Sequence, residues 1–462
     1  MHQETLSLKT TSKGSRVWLN NGTLTNNGFT AGAKYKVEFF KRYVLVSLDE
    51  SGNRAVSKGD VIDLQNKSMT NTFPDANRVH VLYGKGKVII KAYHHDDKIK
   101  RRETSLKERI ARKLPLRFGD WFAGIGYLGK QFAKGLLAAG ISTSIVFANE
   151  YDRHACDLYH NSNTEHMENA ASNVVVVNDD LFTMDQSLVP ELDVMVCGYP
   201  CTGFSSQQGA ARDRDIHHPE AGLLFVPLLE SISRANPSII LIENSDRMLD
   251  SETSYIMDTV LAKTGYKYSH TTLNGLNHGD FEPRKRMAKV YYSENLGELN
   301  IDELNIKRSN ERTLADLLEP MSLSSDKWKD LSYLSKKNQD KSHSHSFIVP
   351  SLSATKLPTF GASYAKIQCD STMIEHPSNP DLHRICTPSE HCNVRHITDD
   401  LKDGIVSIAD GTHHLQKGRT NATKAHFLLG NTISPTPWVD LGEFVGLWAL
   451  SESVPIECQK AA

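Results

Sequence analysis

No run of about 18 apolar residues occurs in the sequence, and its start, MHQETLSLKTTSKGSRV, has no apolar core of the kind that directs secretion. A membrane span and a secretory leader are therefore not expected, and the chain reads as intracellular. Charge of one sign is also lacking: 53 Lys and Arg against 55 Asp and Glu leave a net charge of −2. Affinity for a polyanion would have to come from local clusters of cations. Cysteine is sparse and irregularly spaced. Seven residues with no CxxC pair argue against a disulfide framework and a zinc site, and leave room for one reactive thiol. No metal is expected. What is present is an ordinary globular mixture, 39% hydrophobic and 23% charged. At 462 residues the chain exceeds what one core supports, so two or three domains are expected.

Residues 1–95 hold short β-like runs broken by turn signals, such as YKVEFF, YVLVSLDESGN and RVHVLYGKGKVIIKAY, and predict a small β-rich domain. Residues 96–117 read as a basic linker or helix: KIKRRETSLKERIARKLPLR carries many more cations than anions and is a candidate phosphate-contacting surface, or else a solvated connector. Over 118–293 strand-like runs (SIVFANE, VVVVNDD, LDVMVCGYP, SIILIEN, AKVYYS) alternate with amphipathic segments, which predicts βαβ units and a parallel sheet. Residues 294–383 are polar and irregular, as an inserted domain or long loops would be, and regularity returns over 384–462.

Three features in the α/β region share one logic. In RFGDWFAGIGYLGKQFAKGL an apolar run ends at Gly124 and Gly126 and passes into a helix with Leu128, Phe132 and Leu136 at i, i+4 spacing. Such a strand, glycine turn and helix N-terminus brings backbone close to a nucleotide-like ligand. The next strand ends in Glu150, where a Rossmann-like fold places an acid for ribose hydroxyls, and Asp180 follows the third strand, in reach of an adenine amino group. Each acid alone is more often a solvated strand end; their order, one strand apart, favours the ligand reading. In VCGYPCTGFSSQQG, Cys201 follows Pro200 at the end of an apolar strand and enters a Gly- and Ser-rich loop, a placement suited to nucleophilic attack. Cys197, inside the strand, reads as an inert small hydrophobe.

FAGIG, the ANE acid, GYPCTGFS, IEN, GDFEPRKR, RICTPSEH and GNTISP occur in the order found in cytosine-5 DNA methyltransferases, which the chain resembles over about residues 118–446. The resemblance implies a Rossmann-like S-adenosylmethionine-dependent methyltransferase domain with a smaller target-recognition domain at 294–383, beside the β-rich N-terminal domain. Cytosine carbon 5 is too weak a nucleophile to attack a methyl sulfonium, so the family adds a cysteine thiolate to carbon 6. Cys201 matches that nucleophile, Glu243 the group that protonates ring nitrogen 3, and Arg284 and Arg286 the RxR pair that contacts the ring oxygen and nearby phosphate. The commoner pattern has Gln two positions before the first Arg, whereas Glu282 stands here, which leaves the register open by one or two residues. Contacts to S-adenosylmethionine are implied for Phe122, Gly124, Gly126, Glu150, Asp180, Leu181, Pro200 and Asn431. RICTPSEHCNVRHI would buttress the recognition region, and the final motif, with Gly430 and Asn431, would close the cofactor pocket. Thr359 and the following FGASYAKIQ are expected among the recognition loops, with a plain surface hairpin as the other reading.

The expected partner is double-stranded DNA, bound by a monomer that flips the target cytosine out, in a bacterial cytoplasm or as a phage-encoded enzyme. An RNA cytosine-5 methyltransferase of the same fold and a catalytically silent DNA-binding protein are the rival readings; joint retention of Cys201, Glu243 and the arginine pair speaks against the second. TLTNNGFTAGAKYKVEFFKRYVLVS is similar to the small β fold of SymE/AbrB-type domains, which implies nucleic-acid binding or dimerisation, with a purely stabilising appendage as the alternative.

Overall fold

The computed structural model describes every residue except 75, 205–213, 334–335, 337–347, 368–370 and 454–462, and the side chain at 399. It divides into two compact units, residues 1–101 and 102–462. The division falls inside a helix, His94–Ala111, so most of the stretch expected as a linker is helical. Its alternation of charged residues with Ile99 and Leu106, both buried, is the reason.

The N-terminal unit is β-rich. A six-stranded antiparallel sheet takes the strands in the order His2–Ser7, Arg78–Gly84, Lys87–Ala92, Tyr43–Leu48, Lys34–Phe39, Arg54–Ala55, and a three-stranded sheet joins Lys9–Thr11, Gly14–Leu19 and Ile62–Asn66. Alternating residues such as Val44 and Val46, or Val79, Val81 and Tyr83, point into one apolar core.

The larger unit is an α/β fold. Its central sheet comprises β1 (Leu116–Trp121), β2 (Thr143–Asn149), β3 (Ala170–Val177), β4 (Val194–Gly198), β5 (Ile239–Asn244), β6 (Tyr266–Asn274) and β7 (Lys285–Ser293), in spatial order β3-β2-β1-β4-β5-β7-β6. β1 to β5 are parallel, as the apolar runs predict. The parallel sheet is extended by an antiparallel pair that the pattern did not announce, since β7 runs antiparallel to both β5 and β6. The chain reaches the edge with β6 and returns through a short connection, which only an antiparallel pairing permits. Both faces of β5 are buried: Ile239 and Leu241 join one apolar cluster, Ile240 and Ile242 the other.

Helices cover both faces, among them α1 (Tyr127–Ala138), α2 (Arg153–Asn161), α3 (Phe225–Ala235) and α4 (Glu252–Lys263). Late in the chain come α5 (Pro388–Val394), a helix over Asp399–Asp410, α6 (Ala422–Gly430) and α7 (Thr436–Ser453). Thr387, Pro388 and Glu390 start α5 as a capping box with proline in the first turn. α7 lies against α1, and glycines let the backbones touch: a Cβ on Gly135 would stand 2.1 Å from the Val439 carbonyl oxygen. Within 294–383, Leu296, Leu299 and Ile301 are buried in the core of the main sheet, and a separate cluster forms around Leu314, Leu317, Leu357, Phe360, Tyr364 and Ile374. A small sheet of Lys329–Asp330, Asn379–Arg384 and Ile374–His376 accompanies it. No helix is long and apolar enough to cross a membrane among the described residues.

Candidate active site

The site lies at the carboxyl ends of the parallel strands. After β1 the chain turns through three residues with positive φ, Phe122 (51°), Gly124 (56°) and Gly126 (78°), and Gly126 caps α1. The two glycines serve different ends. A Cβ on Gly126 would strike Asn163 at 2.6 Å and Tyr159 at 2.7 Å, so packing requires glycine there; a Cβ on Gly124 would meet nothing within 4 Å. Room is thus left in front of Gly124 for a ligand. Its N–H donates to Glu150 Oε2 at 2.7 Å, and the Asp152 N–H donates to Glu150 Oε1 at 2.7 Å. Burial raises the Glu150 carboxyl, against these two bonds that lower it. Asp180 accepts the Phe182 N–H at 3.0 Å. Leu181 is fully inside the apolar cluster with Phe147 and Met184, so its side chain forms the floor of this region rather than its surface.

Cys201 and Glu243 come from neighbouring strands. Gly198 at the end of β4 is in register with Glu243 in β5, and three residues on, Cys201 is half-buried, its carbonyl accepting the Phe204 N–H at 3.0 Å. The rest of the Ser-rich loop, from Ser205 to Gly209, lies outside the described residues. Asn244, wholly buried, donates its side-chain amide to the Tyr199 carbonyl at 2.9 Å, and so ties the approach to Pro200 and Cys201 to the end of β5. Cys197 is completely enclosed, and its thiol is pushed far up by burial, which suits an inert residue.

Glu243 Oε1 lies 3.0 Å from Arg286 Nε. Burial raises the Glu243 carboxyl, and the nearby guanidinium groups of Arg286 and Arg284 oppose that shift without cancelling it. Arg284 goes elsewhere. It is buried, its Nη2 donates to the Gly430 carbonyl at 3.0 Å, and its Nε has no hydrogen-bond partner. The structure thus brings Glu243 and Arg286 together as one pair and joins Arg284 to the last turn of α6. Asn431 caps that helix and is exposed. Thr359 is exposed immediately before the buried Phe360.

Residues to which the sequence reading gave no role also matter. Asn244 stands in a quoted motif, but its downward bond to Tyr199 is visible only in three dimensions. Glu282 and Arg395, both enclosed, approach at 2.9 Å. Lys424 of α6 pairs with Asp152, next to Glu150. Asp157, His413 and His414 cluster closely enough to hold a metal ion. The Leu415 N–H points at His413 Nδ1 at 3.3 Å, and the Nε2 atoms of His413 and His414 lie 3.1 and 3.0 Å from the Asp157 carboxylate.

The pattern of residues 116–400 matches the C-5 cytosine-specific DNA methylase family. The chain belongs to that family. Among curated relatives, Type II methyltransferase M.BsuFI of Bacillus subtilis is 25% identical over 266 residues, which cover 56% of this chain and 59% of the relative. Type II methyltransferase M.HhaI of Haemophilus parahaemolyticus is 25% identical over 213 residues, 44% of this chain and 57% of the relative. The chain thus spans somewhat over half the length of these relatives. Among solved structures, a methyltransferase of Entamoeba histolytica, EhMeth, aligns with a TM-score of 0.55 at 17% identity, covering 72% of this chain and 98% of that one. The S. pombe Dnmt2 methyltransferase aligns at 0.52 and 18%, with the same coverage. At such identities these two speak for the fold. The N-terminal unit lies outside the family match. The cytosine-5 methylase family uses S-adenosylmethionine. The open face of Gly124 and the inward carboxylate of Glu150 fit its amino-acid and ribose parts.

Proposed function

We propose that this chain is a DNA cytosine-5 methyltransferase acting on duplex DNA from which the target cytosine is flipped out. One observation carries the reading: a half-exposed cysteine and a carboxyl paired with an arginine stand at the ends of adjacent strands, beside a glycine turn that leaves room for a cofactor. S-adenosylmethionine, held by Gly124, Glu150 and Asp180 with Phe122, Leu181, Pro200 and Asn431 around them, supplies the methyl group. The Cys201 thiolate adds to carbon 6 of cytosine. Charge then develops on ring nitrogen 3, and the burial that raises the Glu243 carboxyl keeps a proton there to give. Arg286 orients that carboxyl and presents fixed donors to the ring oxygen and a phosphate, while Arg284 is held inside by the Gly430 carbonyl. After methylation, loss of the carbon 5 proton expels the thiol and restores the ring. Asn244 holds the backbone of the cysteine turn throughout.

The recognition region would read the site. For residues 1–101 we propose an accessory β module, as the likeness to SymE/AbrB-type domains implies; the hairpin Lys34–Phe39 and Tyr43–Leu48 supports it. Transfer of radiolabelled methyl groups into duplex DNA of varied sequence, located by bisulfite sequencing, tests the activity. Incorporation at cytosine carbon 5 is expected; incorporation into transfer RNA and into no duplex would overturn the substrate.

A further inference from the structure

We infer that the buried Glu282–Arg395 ion pair is a positioning device that seats the exposed segment 359–367 for reading DNA and couples its position to Arg284. The inference rests on the DNA methyltransferase reading above. Glu282 lies two residues before Arg284, and Arg395 directly follows α5. Glu282 Oε1 accepts the Phe360 N–H at 2.7 Å, while its Oε2 faces Arg395 Nε at 2.9 Å. Arg395 Nη2 in turn donates to the Phe360 carbonyl at 2.7 Å. Both backbone groups of one residue are therefore held by the two halves of one ion pair, and pair and residue alike are enclosed.

The anchorage continues along the segment. The Phe360 ring stacks on Tyr364 with centroids 4.2 Å apart, and the Tyr364 hydroxyl donates to the Thr372 carbonyl and accepts the Cys386 N–H, each at 2.9 Å. With 360 and 364 tied inward, Thr359, Gly361, Ser363, Lys366 and Ile367 are left exposed, an arc of small and polar groups with one cation and one apolar side chain that a nucleic-acid groove can accept. The same arc presses on α6. A Cβ on Gly430 would lie 2.4 Å from the Ala362 backbone, and the Gly430 carbonyl is the acceptor of Arg284 Nη2. One glycine thus separates the reading segment from an arginine of the proposed active site. Separating either member of the ion pair strands a buried charge, so the segment has a single favoured seat. A glutamine at 282 would still accept the Phe360 N–H but would leave Arg395 uncompensated.

The test uses the full chain and a pool of duplexes with randomised sequence around the cytosine, read by bisulfite sequencing, together with KM for DNA, affinity for S-adenosylmethionine and melting temperature. Removing both charges in Glu282→Gln/Arg395→Gln avoids stranding one of them. We expect a folded double variant that binds cofactor like wild type. Its KM for DNA should rise roughly ten- to hundredfold and methylation should spread over sites the wild type ignores, as misplacement by about 1 Å produces. Gly430→Ala disturbs the same segment from the other side without altering charge, and the same broadening is expected. A folded variant of either kind with the wild-type site profile and KM would overturn the inference, and Gly430→Ala decides alone should the double variant not fold. Activity of the wild type with unchanged variants sinks this inference only; a wild type inactive on every duplex sinks the proposed function with it.

Discussion

The two units bury different things. Among the described residues of 1–101, Ser15 is the one buried polar residue, and the ion pairs Arg16–Asp63, Lys36–Asp49 and Arg42–Asp97 lie at the surface. In 102–462 charges go inside: Asp193 with Arg109 and Arg117, Glu390 with Arg384, Lys289 with Asp258, Glu282 with Arg395, Asp440 with His278 and Arg308. An apolar core fixes volume but tolerates rearrangement, whereas a buried ion pair accepts one geometry and penalises others. The contrast teaches that the first unit is built for stability and the second for position.

That contrast can be broken at four points. The largest effect is expected where position serves chemistry most directly. Cys201→Ser replaces a thiolate with a poor nucleophile, so turnover should fall by at least about 10⁴-fold with melting temperature and cofactor affinity unchanged; radiolabel transfer and calorimetry read both. A serine variant with appreciable turnover would remove Cys201 from the mechanism.

The next point tests the buried charges themselves. Arg384 meets Glu390 through two bonds, 2.6 and 2.8 Å, with both groups buried. Arg384→Met strands the carboxylate and should cost about 3–5 kcal/mol in denaturant unfolding. The matching change at the surface of the first unit, Arg16→Ala opposite Asp63, should leave the unfolding midpoint where it is. Equal effects would erase the distinction between the units.

A third test uses acidity. Burial raises the Asp280 carboxyl to about 6 from 3.8, although the Thr436 hydroxyl and N–H both donate to it. Between these values the folded chain keeps a proton that the unfolded chain has released, so this contribution is complete below about pH 4 and is lost as pH rises through 6. It amounts to on the order of 3 kcal/mol. Asp280→Asn should flatten the stability profile across that window, measured by urea unfolding at successive pH values; an unaltered slope would contradict the shift.

Glu243→Gln is the finest probe, because it keeps shape and hydrogen bonding and withholds only the proton. Turnover should drop about a hundredfold, with affinities for DNA and S-adenosylmethionine little altered. Near-normal turnover would leave Glu243 as no more than the partner of Arg286.

Much of the larger unit is legible in its sequence because its strands are extreme. SIILIEN and LDVMVCGYP each hold an unbroken apolar run, IILI and VMVC, which only a strand covered on both faces requires, and they form β5 and β4. YKYSHTTLN escaped notice because β6 is an edge strand with mostly exposed, polar residues, and direction has no periodicity, so the antiparallel return of β7 could not be read either. The TPSE start of α5 is written locally, as a capping box. In the candidate site the glycine turn and Glu150 stand one strand apart, and their contact at Gly124 follows from strand adjacency. The bond from Asn244 to Tyr199 and the pairing of Glu282 with Arg395 join elements remote in sequence, where spacing carries no information.

The touching glycines of α1 and α7 bear on how the chain is made. α1 leaves the ribosome before all but the first strand of the sheet, yet the helix that covers it follows the last strand of that sheet. Through that interval Phe132 and Leu136 lack the shelter that Trp438, Leu441 and Val445 later give them. The nascent chain therefore carries an apolar stripe throughout the interval between α1 and α7, a contact of very long sequence separation that slows folding and invites association. The N-terminal unit, whose sheets pair among themselves, is free to finish while the methylase portion is still waiting for α7.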